Sequence, residues 1–502
     1  MKDRERGRNK MRVVVVGAGA TGLGVGWDLA LRGLAVTVIE QGDIAHGTSG
    51  RFHGLLHSGA RYVVRDPKAA AECFQENQIL RKVAAGSVEP VGGYFVESDQ
   101  AVAGYRERWL AAMTAVGVPW EEASVSRLRQ QIPDLAPTIR RAYRVPDGVI
   151  NGFELLFRLR RGIELHGGMV RLFTRLVGVS ISASGRVQGV QVKTRQGEDE
   201  WIACDALVNA AGPFAGHVAE LFGDPFAMRL SRGVMLVFAE RKVPVVINRL
   251  ASPGDGDILV PHHRVSIWGT TDEPTDDPEA RPPSLQESRQ LLALAGDLFP
   301  QMGQWRVLRA FAGVRPLYQP AAGGESRHVT RDFTILDHRA RGGPAGVVSV
   351  VGGKWVTYRR MAEQAADAIV AYLGESSTTK THQVPLPELT PSSQEHPSHQ
   401  ANLCECEEVA AQDVEPWSGA TLNQLRTRTW FSMGPCQGAF CVHRVAATRL
   451  PHAGVDAIDD QVQALRAERE RGMRAALWGD NAREWALSRS IRRQILAEDE
   501  EA

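Results

Sequence analysis

What is scarce in this 502-residue sequence narrows the field first. Six cysteines are too few for a disulfide scaffold. No apolar run approaches the ~20 residues of a membrane-spanning helix, so the chain is expected to be soluble, with any membrane attachment made through a partner or a weak surface contact. Surplus charge is missing too: 59 basic residues stand against 58 acidic ones. A net charge of +1 offers no field for nucleic acid, and any anion recognition has to be local. The first ten residues carry Lys2, Arg4, Arg6, Arg8 and Lys10 but no apolar core, which argues against a secretory signal and points to a disordered tail over residues 1–11. Hydrophobic residues at 43% and aromatics at 7% are ordinary for a globular protein, and the length allows two or three domains.

What is present is concentrated between Arg12 and Tyr62. The β-branched run Val13 to Val16 enters Gly17-Ala18-Gly19-Ala20-Thr21-Gly22, and a helical pattern follows from Leu23 to Arg32. A second strand, Val36 to Ile39, ends at Glu40, about 20 residues beyond the glycines, where an acid can bond a ribose hydroxyl. Strand, glycine turn, helix and acid in register predict dinucleotide binding, with the pyrophosphate at the helix N-terminus. The stretch Gly47 to Tyr62 is rich in glycine and hydroxyls and is interrupted by His53, His57, Arg51 and Arg61. A plain nicotinamide domain has no need of it. Small residues there would let the backbone lie against an isoalloxazine ring, with His57 and Arg61 reaching one substrate over it; the bland alternative is a polar surface loop.

These motifs, with Val208 to Gly212, Gly313-Val314-Arg315-Pro316-Leu317 and Gly352 to Arg359, resemble the FAD-dependent glycerol-3-phosphate dehydrogenase family. With the C-terminal cysteines, the likeness is to the A subunit of the anaerobic type. The resemblance implies an α/β fold: a discontinuous Rossmann-type, DAO-like FAD-binding domain over about 12–90, 190–225 and 340–374, with a mixed-sheet substrate cap over about 91–189 and 226–339. It further implies FAD contacts from Gln41, Thr48, Ser49, Arg51, His53, Ala211, Gly212, Gly353 and Thr357, beside the Gly17–Gly22 turn and Glu40.

Cys404, Cys406, Cys436 and Cys441 form two close pairs beyond a Ser-, Thr- and Pro-rich linker over 375–400, whose histidines 382, 396 and 399 read as solvated. Four thiolates satisfy either tetrahedral zinc or a 2Fe–2S cluster, and the single-residue gap at 404/406 fits zinc knuckles poorly. Resemblance favours a 2Fe–2S module of the bacterioferritin-associated-ferredoxin type in a helical C-terminal domain, residues 401–502, and a reducing cytoplasm. Cys73 and Cys204 sit in apolar contexts and are expected to be small buried hydrophobes.

The implied reaction oxidises sn-glycerol 3-phosphate to dihydroxyacetone phosphate, with electrons leaving through the cluster toward quinone and through electron-accepting, membrane-anchoring partner subunits at the inner face of the cell membrane. It needs a hydride acceptor, a proton acceptor and cations for a phosphate of about −1.5 to −2. By resemblance Arg61, Arg315 and Lys354 meet near the flavin, with Tyr62 and Arg331 as further substrate contacts. His57 is the candidate base, and a flavin-contacting core histidine is its competing role. Aerobic relatives place a second histidine after a Lys-Gly-Ser segment; here Arg232-Gly233-Val234-Met235 stands there and lacks it. Two other functions fit the same motifs: a flavin dehydrogenase of another hydroxy acid or amine, needing one carboxylate-binding arginine rather than a cluster, and a non-catalytic flavin and iron–sulfur electron carrier.

Overall fold

The computed structural model describes residues 10–279, 281–318, 332–389 and 402–495. Its centre is a six-stranded sheet built from β1 (Arg12–Val16), β2 (Ala35–Ile39), β3 (Met169–Arg171), β4 (Ala206–Asn209), β5 (Phe333–Asp337) and β6 (Val347–Gly352), in the order β5-β6-β4-β1-β2-β3. All pairings are parallel except β5 with β6. Val13 to Val16 are buried on both faces, as a strand inside a parallel sheet has to be. Helices α1 (Ala20–Leu31), α2 (Gly152–Leu165) and α3 (Tyr358–Tyr372) bury Leu23, Leu159 and Ala365 in one core with the β-strands. An antiparallel meander over 175–203 adds a second core with Val190, Val192 and Leu207.

Helix α2 starts at Asn151, whose side chain accepts the Glu154 amide at 3.1 Å. A nine-stranded mixed sheet, including Arg229–Phe238, Ile258–His262, Val265–Gly269 and Val307–Leu317, forms the cap. Two segments assigned to the cap by sequence pair elsewhere. β3 extends the nucleotide sheet through Thr37↔Met169, and β5 closes its other edge on β6. Discontinuity therefore runs finer than the expected boundaries, since short strands join whichever edge offers unpaired backbone groups.

The expected linker is also not loose where it is described. Leu386 is buried, and Arg158 donates to the carbonyls of Leu386 and Pro387 at 3.0 Å and to Glu388 at 2.6 Å. His382 is exposed, while His396 and His399 lie outside the described residues. Cys73 and Cys204 are buried thiols, held protonated by desolvation with pKa pushed up to about 12. A buried ion pair, Arg359 with Glu76 at 2.6 Å, ties α3 to the helix Pro67–Val83. Beyond the linker, α4 (Leu422–Thr429) and α5 (Val455–Met473) build a separate small core around Phe431, Leu425 and Leu465. No helix among the described residues is long and apolar enough to cross a membrane.

Candidate functional site

The turn after β1 is built for close backbone approach. Gly17 holds φ +107, and a Cβ on Gly22 would lie 1.8 Å from the Gly17 carbonyl. Gly19 caps α1 without a side-chain bond and no acid occupies its first turn, so the positive helix end stays available to an anion. A groove of about 210 Å³ runs over Gly17, Gly19, Ala20 and Thr21 to Glu40 and Gln41, and is walled by Thr48, Ser49, Ala211, Gly212 and Gly353. Ala18, Gly22 and Thr357 stand behind this wall rather than in it: Thr357 is buried, and its hydroxyl donates to the Lys354 carbonyl at 3.0 Å. The Glu40 carboxylate accepts the amides of Ala18 and Gly42, each at 2.8 Å, which fixes it at the groove edge. Asn209 sets the second flavin motif, taking the Ala211 amide at 3.3 Å and donating to Ser349 at 3.0 Å.

Through Thr48, Pro316, Gly353, Lys354 and Trp355 the groove shares its wall with a cavity of about 510 Å³. Here the structure brings together His57, Arg61, Tyr62, Arg315 and Lys354, along with Arg51 and His53. Arg331 lies outside the described residues. The His57 ring meets Tyr62 edge-on at 5.3 Å, and the Lys354 ammonium sits 5.0 Å above the Tyr62 ring. Gly313 lets its strand pass the Arg51 carbonyl, which a Cβ would approach to 2.5 Å. Trp355 stacks on Phe52 at 4.8 Å and donates to the Ser49 carbonyl at 3.2 Å, joining both flavin motifs.

Arg61 and Arg315, the two arginines expected at the substrate, are clamped by carboxylates that no spacing in the sequence announces. Arg61 reaches Asp257 at 2.8 Å, 196 residues away. Arg315 bonds Asp272 at 3.2 Å, Ser231 at 3.1 Å, Thr270 at 2.5 Å and the Thr271 carbonyl at 2.9 Å. The clamps fix the guanidiniums and spend part of their charge. Six cationic side chains line the cavity against Asp66, Asp255 and Asp272, and with Asp257 behind Arg61 the cations remain in excess, so the field favours an anion.

The C-terminal cysteines carry no disulfide. Cys441 hydrogen-bonds both Cys404 and Cys436, and Cys406 hydrogen-bonds Cys436, so four thiols converge. The bond from Cys441 pulls the Cys436 and Cys404 thiols down, desolvation pushes Cys406 up, and Cys441 rises as the shared donor. Among the described residues, however, no group of three or more His, Cys, Asp or Glu is arranged as a metal-holding set, so the expected cluster geometry is not displayed. Donor chemistry alone fits a tetrathiolate centre. The module seats on the nucleotide half through Arg428, which bonds Asp43 at 3.0 and 3.2 Å, and on the cap through His263, stacked 4.1 Å from Trp430 and 3.4 Å from Glu407.

Residues 12–359 match the family described as FAD dependent oxidoreductase. The chain is similar to the A1 subunit of the anaerobic glycerol-3-phosphate dehydrogenase of Haloferax volcanii, 36% identical over 97% of this chain and 91% of that one. It is likewise similar to the A subunit of the anaerobic glycerol-3-phosphate dehydrogenase of Escherichia coli, 34% identical over 95% of both chains. In fold it resembles the glycerol-3-phosphate dehydrogenase of Bacillus halodurans complexed with FAD, with a TM-score of 0.56 and 18% identity over 98% of this chain and 90% of that one.

Proposed function

Because the chain belongs to the FAD dependent oxidoreductase family, beside relatives named as A subunits of anaerobic glycerol-3-phosphate dehydrogenase, we propose that it oxidises sn-glycerol 3-phosphate to dihydroxyacetone phosphate. The observation that carries this is one cavity in which His57, Arg61, Arg315 and Lys354 meet, sharing a wall with the glycine-lined groove.

The Gly17–Thr21 turn, Glu40, Thr48, Ser49 and the Gly353 turn would hold FAD, which would supply a two-electron hydride acceptor. Arg61 and Arg315, fixed by Asp257 and Asp272, present N–H groups to the phosphate, and Lys354 adds a third positive charge. Held there, the substrate places its C2 hydroxyl where His57 takes the proton as the hydride leaves C2. Tyr62 braces both His57 and Lys354. Cys404, Cys406, Cys436 and Cys441 would hold a 2Fe–2S cluster, which supplies one-electron acceptance beside a two-electron centre. Such a cluster would let partner subunits draw electrons off singly toward the quinone pool, with the chain peripheral at the inner face of the membrane.

Anaerobic addition of sn-glycerol 3-phosphate to purified protein, followed by flavin absorbance, tests the reading. Bleaching by the phosphate ester and not by glycerol is expected. Equal bleaching by glycerol would remove phosphate recognition and favour a dehydrogenase of another hydroxy acid or amine, and no bleaching by any candidate would favour an electron carrier.

A further inference from the structure

A second cavity, about 1050 Å³ against about 510 Å³ for the substrate site, opens between the nucleotide half and the C-terminal module. It shares Arg51 and Phe52 with the substrate cavity and Gln41, His46, Ser49 and Arg175 with the dinucleotide groove, whereas Arg309, Arg426, Arg469 and Arg471 line neither. Eight cationic side chains line it against three carboxylates, and one of those, Asp43, is already bonded to Arg428.

The imbalance is sharpest at its floor. Arg309 comes from the cap strand Val307–Leu317, Arg426 from α4, and Arg469 and Arg471 from α5. Glu468 is the carboxylate among them, and it lies 3.8 Å from Arg309, 3.9 Å from Arg426 and 3.8 Å from Arg471, beyond direct hydrogen bonds. Arg469 is 5% exposed, and its Nε, like those of Arg309 and Arg426, is buried without a hydrogen-bond partner. Burial lowers the pKa of all three, that of Arg309 to about 10. Buried guanidiniums are retained against this cost where an anion compensates them. Gly472 is shaped to the arrangement, since a Cβ there would lie 2.7 Å from the Arg309 Nε. Aromatic rings of Phe153 and Trp430 wall the same space, 5.7 Å apart.

We propose that this cleft binds a phosphate-bearing ligand on its arginine floor, at a site that adjoins the dinucleotide groove along Gln41, His46, Ser49 and Arg175 and is occupied in addition to FAD. Phosphate oxygens suit several guanidinium forks at once, and the volume and aromatic walls leave room for a ligand of mononucleotide size. The thiol site near Arg469 is the competing source of negative charge, and it makes no demand on Arg309 or Arg471.

Equilibrium dialysis of labelled ADP against full-length, FAD-saturated protein tests the proposal, with retained flavin absorbance showing that FAD is not displaced. One equivalent is expected to bind, to be displaced by inorganic pyrophosphate, and to resist adenosine. Arg309→Gln and Arg471→Glu should each weaken it by about tenfold or more, whereas Arg315→Ala in the substrate cavity should leave it unchanged. Arg471 is 60% exposed, so its variant reports on the cleft even if Arg309→Gln misfolds. ADP binding tighter than pyrophosphate would assign a nucleotide, and equal binding would assign inorganic phosphate. The proposal is overturned by no retention at about 1 mM ADP, by displacement with adenosine, or by loss in Arg315→Ala with the Arg471→Glu protein unaffected.

Discussion

Replacing Arg315 by alanine tests the substrate assignment most directly, and the structure raises the size of the effect above what the sequence alone suggests. Losing charge-assisted hydrogen bonds to the phosphate costs about 1.5–3 kcal/mol, or roughly 10- to 150-fold in affinity. Arg315 also neutralises Asp272, whose side chain is 5% exposed at 3.2 Å. Its removal leaves that carboxylate facing the cavity, where a unit charge roughly 7 Å from a phosphate costs about 2 kcal/mol at an effective dielectric of about 20. The two effects together come to about 3.5–5 kcal/mol, on the order of 10³-fold. Removing both charges, in Arg315→Ala/Asp272→Asn, should recover the second part. The assay is the sn-glycerol 3-phosphate concentration giving half-maximal anaerobic flavin reduction, with FAD content measured after denaturation. If single and double variants bind substrate equally weakly, Asp272 does not face the phosphate; if neither weakens binding, Arg315 is not its anchor.

His57→Ala should slow flavin reduction by roughly 10²- to 10⁴-fold in stopped-flow traces with FAD retained, and an unchanged rate would leave His57 only its packing against Tyr62. Cys404→Ser or Cys436→Ser should abolish an iron–sulfur electron paramagnetic resonance signal while substrate still bleaches the flavin; stoichiometric zinc without iron or sulfide in anaerobically purified protein would end the relay idea. His262, buried and pushed down to about 3 by desolvation and then by His263, stays neutral in the folded chain. Above its unfolded value of about 6.5 it therefore has no effect on stability, but as pH falls from there toward 3 the unfolded chain alone gains a proton, and stability drops by up to about 1.4 kcal/mol per pH unit. Urea unfolding at neutral and mildly acidic pH should show a shallower loss in His262→Gln, and equal slopes would refute the assignment.

The nucleotide half was legible because its signals are local. Four β-branched valines, a turn that admits only glycine at Gly17 and Gly22, and an acid after the next strand follow from contacts between near neighbours in the chain, and the structure returns them as β1, α1 and β2. Gly353 and Lys354 are neighbours in one short motif, and both wall the groove and the adjoining cavity. The cap boundaries were less legible, since β3 and β5 are short strands whose sheet is chosen by an available edge rather than by their own residues.

Sequence by itself thus determined the family, the dinucleotide turn and the chemical inventory of the site, because backbone geometry and residue type are properties of neighbours. Tertiary structure decided how much charge that inventory delivers. Arg61 with Asp257, Arg315 with Asp272, and the crowding of Arg309 and Arg426 around Glu468 join residues far apart in the chain. A guanidinium's partners and desolvation depend on which surfaces pack against it, and packing is a property of the assembled core rather than of any stretch of sequence.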